Sequence, residues 1–181
     1  MDKSRNIRGE LSYGSGHVDP LKAIDPGLVY EAFKEDYIKL MCSMGYPTNL
    51  IKGVTAENTS CPKTSENVPP RDLNYPSLTA LVASNKSFTV TFHRTVKNVG
   101  HANSTYKAQV SRNPKLKVEV LPAVLSFKAL EEKKSFNVTV RGGALQNRTM
   151  LSTTLIWSDG THFVRSPILV HTYPSVDQFR D

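Results

Sequence analysis

Long apolar runs are missing from this chain. The longest greasy stretches are strand-length, such as Ser166–Val170, so nothing among the 181 residues approaches a membrane span. The first ten residues, Met1–Glu10, are charged and hold no apolar core, and they do not read as a signal peptide. Blocks of like charge are missing too. The net charge is +7, but Lys115 and Lys117 alternate with apolar neighbours instead of clustering. No aromatic–basic RNA signature and no helix–turn–helix accompanies them, so the charge reads as a solvated surface and no nucleic-acid partner is expected.

Cysteine is scarce. Cys42 and Cys61 are the only two, and no histidine pair stands beside them at ligand spacing, so no zinc site and no cofactor are expected. They read either as a free thiol pair of a cytosolic protein or as one disulfide. A disulfide across a loop of roughly 20 residues is worth about 3 kcal/mol by loop-closure entropy. Five sequons tilt the choice towards an oxidising secretory route: Asn58, Asn85, Asn103, Asn137 and Asn147 each begin an N-x-S/T triplet without proline.

Catalytic motifs are also lacking. There is no GxSxG elbow, no HExxH, no paired-carboxylate arrangement and no glycine-rich phosphate loop after a strand. The five histidines are His17, His93, His101, His162 and His171. His93 lies mid-strand among apolar residues and reads as packing. His101 and His162 sit beside glycines and read as solvated loop residues. No catalytic residue is named.

What the chain does contain falls into two periods. Asp25-Pro26-Gly27 is a turn. Phe33, Tyr37, Leu40, Met41 and Met44 then recur at helical spacing, with Gly45 as the stop. Pro47-Thr48-Asn49 opens a second short helix that ends near Thr55. The stretch Cys61–Pro76 holds four of the eleven prolines and reads as a linker. Beyond it the period drops to two, through Phe88, Val90 and Phe92, then Tyr106, Ala108 and Val110, then Leu116, Val118 and Val120. Phe136, Val138 and Val140 follow, and Leu151, Leu155 and Trp157 come before an Asp159-Gly160 hairpin turn and a last strand over Phe163–Val170.

About seven short strands of this kind predict an antiparallel β-sandwich with Trp157 in its core. No cysteine lies among them, so an immunoglobulin-type inter-sheet disulfide is excluded and fibronectin III-like is the better label. The predicted fold class is therefore mainly β, a fibronectin III-like sandwich preceded by a small helical segment.

Five blocks in order carry a family resemblance. They are YGSGHVDPLKAIDPGLVY (Tyr13–Tyr30), KEDYIKLMCSMGY (Lys34–Tyr46), DLNYPS (Asp72–Ser77), RTVKNVG (Arg94–Gly100) and WSDGTHFVRSPILV (Trp157–Val170). From about Tyr13 to Tyr173 the sequence resembles plant subtilisin-like serine proteases of the cucumisin-like family.

The resemblance implies that residues 1–61 are the end of a subtilisin-like α/β domain and 62–76 a linker into the first strand. It implies a fibronectin III-like domain over 72–174 and a tail at 175–181. It places the catalytic Asp, His and Ser upstream of this chain, so the polypeptide is expected to be inactive alone. It implies an extracellular location in the apoplast or cell wall, a bond between Cys42 and Cys61, and an upstream protease domain as intramolecular partner. Peptide and protein substrates would belong only to the full-length enzyme, and no membrane partner is implied. Met1 then reads as the start of a fragment or truncated gene product. The alternative reading is a free-standing extracellular binding module. In either case Leu28, Val29, Phe33, Tyr37 and Leu40 are expected to lose their burial without a protease core above them.

Overall fold

The computed structural model describes residues 16–61 and 68–172. The expected tail at 175–181, the charged start at Met1–Glu10 and part of the 62–76 linker lie outside the described residues. In chain order the elements are α1 (Pro20–Ile24), β1 (Leu28–Val29), α2 (Lys34–Ser43), α3 (Thr48–Thr55) and a 3₁₀ turn (Pro70–Asp72). Eight strands follow: β2 (Leu78–Val82), β3 (Phe88–Asn98), β4 (Thr105–Val110), β5 (Leu116–Leu121), β6 (Val124–Ser126), β7 (Lys133–Gly142), β8 (Met150–Ser158) and β9 (Phe163–Thr172).

The strands form a two-sheet sandwich, β1-β3-β7-β5 facing β2-β9-β8-β4-β6. Alternation drives it. Phe92 and Val96 on β3, Phe136, Val138 and Val140 on β7, and Leu155 and Trp157 on β8 turn inward and are almost wholly buried. The Phe136 and Trp157 rings meet edge to face at 5.0 Å, a geometry that adds to burial worth about 1.5–3 kcal/mol for each large apolar side chain. The fibronectin III-like, mainly β fold class therefore holds.

Three features differ from the sequence reading. The sandwich is not purely antiparallel, because β2 runs parallel to β9, Leu78 opposite Ile168 through Val82 opposite Thr172. β8 and β9 bury Thr153, Thr154, Ser158 and Ser166 besides their apolar residues, so strict alternation fails where both faces are covered. And β1, two residues long, joins the first sheet beside β3, which puts Leu28 in the main core at 3% exposure. The expectation that Leu28 would lose its burial is corrected: a sheet edge of the sandwich takes it.

The helical stripe is corrected as well. α2 buries Ile38 and Cys42, one turn apart, against Ile51 of α3, with Met41 and Cys61 at the margin. Phe33, Tyr37 and Met44 point outward. Five apolar residues at helical spacing were present, but the two that face α3 lie on the adjoining face. A disulfide joins Cys42 to Cys61 with Cα atoms 5.7 Å apart, so this small second core is closed by a covalent link.

Candidate functional site

The chemistry-bearing side chains gather where the N-terminal segment meets the sandwich. Asp19 caps α1, accepting the Lys22 N–H at 3.3 Å, and Pro20 starts the helix where a missing N–H costs nothing. The Asp25-Pro26-Gly27 turn then brings the chain to the sheet. Gly27 has φ +77°, and a Cβ there would stand 2.6 Å from the Tyr106 hydroxyl and 2.7 Å from Cγ of His162. Its carbonyl accepts the N–H groups of Val99 and Gly100 at 2.9 and 3.0 Å. Only glycine satisfies both the dihedral and the gap.

Above Gly27 sits His162, read from sequence as a solvated loop residue and in fact 7% exposed. Its Nδ1 lies 2.8 Å from Asp159 Oδ2 and 3.4 Å from the Tyr106 hydroxyl. Its Nε2 lies 3.1 Å from Asp25 Oδ2. The hydrogen bond with Asp159 raises the His162 pKa above its usual value, with Asp25 adding to it and burial opposing. Burial pushes the Asp159 carboxyl up, but the His162 ring and the N–H groups of His162 and Thr161 outweigh it and hold the pKa at about 2. The Tyr106 hydroxyl is pushed up by burial and by the charges of Asp159 and Asp25. Both imidazole nitrogens thus face carboxylates, one from the N-terminal segment and one from the β8–β9 turn.

A second cluster holds the chain on either side of the junction. Arg94, 4% exposed, donates to the carbonyls of Tyr75, Arg71, His93 and Ser77 at 2.8–3.1 Å. Burial lowers its pKa, and Tyr30 and Asp72 push back. Asn74 bridges three groups, donating to the Glu31 and Thr95 carbonyls at 2.9 Å and accepting the Thr95 N–H at 2.8 Å. The Tyr30 hydroxyl pairs with Ser166 Oγ at 2.8 Å, and burial raises its pKa. Glu31 reaches Lys97 and Lys133 at 2.5 and 2.7 Å, and the bond to Lys133, then that to Lys97, lowers its pKa. The DLNYPS and RTVKNVG blocks are thus the two halves of one clamp.

The other sequence candidates are dispersed. His93 is exposed, not packed among apolar residues. Its neighbours in sequence turn inward, and its own ring sits on the outer face, with Nδ1 2.6 Å from the Asn137 side-chain oxygen. His101 is exposed in the β3–β4 turn. Asn58, Asn85 and Asn103 are exposed outside strands, Asn85 and Asn103 each at φ 58°. Asn137 is exposed on β7, while Asn147 is half-buried with a shielded side-chain oxygen. Among the described residues no group of three or more His, Cys, Asp or Glu could hold a metal ion, and no helix is long and apolar enough to cross a membrane.

The helices leave apolar side chains uncovered. Val18, Leu21 and Ile24 around α1 are 87%, 82% and 82% exposed, and Val54 of α3 is 75% exposed.

Residues 72–170 match the family described as fibronectin type-III domain. The chain is 52% identical over 166 residues to subtilisin-like protease SBT4.6 of Arabidopsis thaliana, covering 92% of this chain and 22% of that protein. It is 53% identical over 166 residues to SBT4.11 of the same plant, covering 90% and 22%. The chain thus spans about a fifth of the length of the curated relatives it matches. Among solved structures, the VesB protease of Vibrio cholerae aligns with a TM-score of 0.38 and 17% identity over 54% of this chain and 30% of that one, a likeness too low to carry any argument.

Proposed function

Because the chain belongs to the fibronectin type-III domain family and is kin to plant subtilisin-like proteases, we propose that it is the non-catalytic C-terminal portion of a secreted subtilisin-like serine endopeptidase. The observation that carries this reading is the division of the N-terminal segment between buried and bare apolar residues. Leu28 and Tyr30 are tied into the sandwich, while Val18, Leu21, Ile24 and Val54 stand bare. Such side chains each forgo about 1.5–3 kcal/mol in water, which a catalytic domain seated over α1 and α3 would recover. The sandwich, with its own core, would act as the stabilising base on which that domain sits.

The partner in this reading is the protease domain, and peptide or protein substrates belong to the joined enzyme. Nucleic acid and membrane have no place in it. The Cys42–Cys61 bond and the five sequons support an extracellular location. In this reading the isolated chain has no endopeptidase activity of its own, which the lack of a serine-hydrolase motif in its sequence supports.

Two measurements test the reading. The purified chain should neither cleave a peptide substrate nor take up a serine-directed fluorophosphonate. A relative such as SBT4.6, produced without its matching segment, should gain solubility or activity when this chain is added. Labelling of this chain, or the absence of any association with the trimmed relative, would overturn the proposal.

A further inference from the structure

The geometry at the junction points to a protonation-controlled latch. We infer that charged His162 ties α1 to the sandwich through Asp25, and that neutral His162 keeps Asp159 and releases Asp25, freeing α1 while β1 stays in place.

The argument starts from donor counting. A neutral imidazole carries one N–H and one lone pair, whereas the imidazolium carries two N–H groups. Here Nδ1 faces Asp159 Oδ2 at 2.8 Å and Nε2 faces Asp25 Oδ2 at 3.1 Å, so both contacts are satisfied only when the ring is charged. When the proton leaves, one carboxylate must face a lone pair. Asp159 is the better anchored of the two. Its side chain is 12% exposed, and Oδ1 also accepts the N–H groups of Thr161 and His162 at 2.9 and 2.6 Å. Asp25 is 53% exposed and can exchange the ring for water. Deprotonation therefore breaks the Asp25 contact and spares the other.

The consequence falls on α1 alone. None of its residues is buried, and Asp25, at its C-cap, carries the ion pair from this end of the helix to the sandwich. Pro26-Gly27 follows immediately, and from Leu28 onward the chain is pinned by the β1–β3 ladder and by the Tyr30–Ser166 bond. The hinge is thus defined by where burial begins.

Other ionisable groups around the ring come from every neighbouring element. Tyr106 of β4 is within hydrogen-bonding distance, and burial keeps its hydroxyl neutral. His101, from the β3–β4 turn, has its ring centroid 6.1 Å away. Asp19, the N-cap of α1, and Lys22 of α1, an ion pair at 3.8 Å, line a cavity of about 320 Å³ beside His162. The two carboxylates in direct contact dominate, and the pKa of His162 lies above its ordinary value accordingly. The latch is a property of this chain with α1 uncovered, and it does not rest on the proposed function.

The test is ¹⁵N NMR on the full 181-residue chain from pH 5 to 9. The His162 ring signals give its midpoint, and heteronuclear NOEs of residues 20–26 report ordering of α1 on the fast timescale. The expected result is ordered α1 below the midpoint and loss of those NOEs above it, with Leu28–Tyr30 unchanged throughout. Asp25→Asn, an exposed substitution that spares the fold, should lower the midpoint by about one unit and abolish the pH dependence of α1. His162→Gln should leave α1 loose at every pH. Flat α1 NOEs across the wild-type titration would overturn the latch. So would an Asp25→Asn variant that keeps the wild-type pH response.

Discussion

Leu28 stands directly opposite Asn98 in the short β1–β3 ladder, and the two are 3% and 0% exposed. Asn98 fixes the turn that receives the N-terminal segment, donating from Nδ2 to the His101 and Ala129 carbonyls at 2.8 and 3.2 Å and accepting the Gly100 N–H at 3.2 Å. One residue fills the core and the other holds the frame into which it is inserted. Leu28→Ala should therefore destabilise the sandwich itself, by about 2–4 kcal/mol as for other buried leucine truncations. Urea unfolding followed by Trp157 fluorescence measures it. A loss under about 0.5 kcal/mol would mean that β1 is an appendage.

Gly27→Ala should be damaging as well. The φ of +77° disfavours any side chain, and the added methyl would press on Tyr106 and His162. A loss of about 1–3 kcal/mol follows from overpacking alone. Thermal unfolding should show it, together with altered ring signals for His162, whereas a change at exposed Gly143, which has open space around it, should be silent.

Replacing Arg94 removes donors from four carbonyls at once. Arg94→Met keeps the stem but leaves the Tyr75, Arg71 and Ser77 carbonyls unpaired, at a cost of about 3 kcal/mol. Arg94→Lys should recover only part of this, because an ammonium cannot span a fork of acceptors. Limited proteolysis between residues 68 and 77, read by mass spectrometry, should speed up in both variants and most in Arg94→Met.

Stability should fall on both sides of mildly acidic pH. His162 has a raised folded pKa, so its contribution is complete below its unfolded value of about 6.5 and is lost as pH rises through the folded value. Asp159 has a depressed folded pKa, so its contribution is present above 3.8 and is lost as pH falls towards about 2. Glu31, also depressed, acts on the acid side as well. Urea midpoints measured from pH 2 to 9 should trace this dome, and His162→Gln should flatten the alkaline limb. An unchanged alkaline limb in that variant would refute the assignment to His162.

Reduction of the Cys42–Cys61 bond should loosen the helices and spare the strands. The bond closes a separation of 19 residues around a core of only a few side chains. Losing it should cost that unit about 3 kcal/mol by loop-closure entropy. Hydrogen exchange in Cys42→Ser with Cys61→Ser should rise sharply across residues 34–55 and hold steady in β3, β7 and β8. Equal loss in both parts would show that the helices and the sandwich unfold as one.

Period and punctuation were legible in the residues. Alternation at Phe88–Phe92, Phe136–Val140 and Leu155–Trp157 marks inward faces whatever they face, and the Asp159-Gly160 turn lies where β8 meets β9. The ordered blocks around Asp25, Asp72, Arg94 and Trp157 were visible as well, since they are local strings. Their partnerships were not. Asp25 and His162 lie 137 positions apart, and so a glycine-flanked histidine reads as a solvated loop until Tyr106 and Gly27 close around it. The Asp159-Gly160-Thr161-His162 string was the one available signal, with a carboxylate three residues before the ring.

The same distinction explains the two other misread side chains. His93 has apolar neighbours in sequence, but a strand sends neighbours to opposite faces, and the ring lands outside beside Asn137. Leu28 belongs by sequence to the helical segment and by burial to the sandwich. By itself the sequence determined which stretches could be strands, which could be helices and where the chain turns, because those choices depend on residues a few positions apart. Only the tertiary structure decided which charged groups are buried and what each one touches, because desolvation and pairing depend on elements brought together from distant parts of the chain.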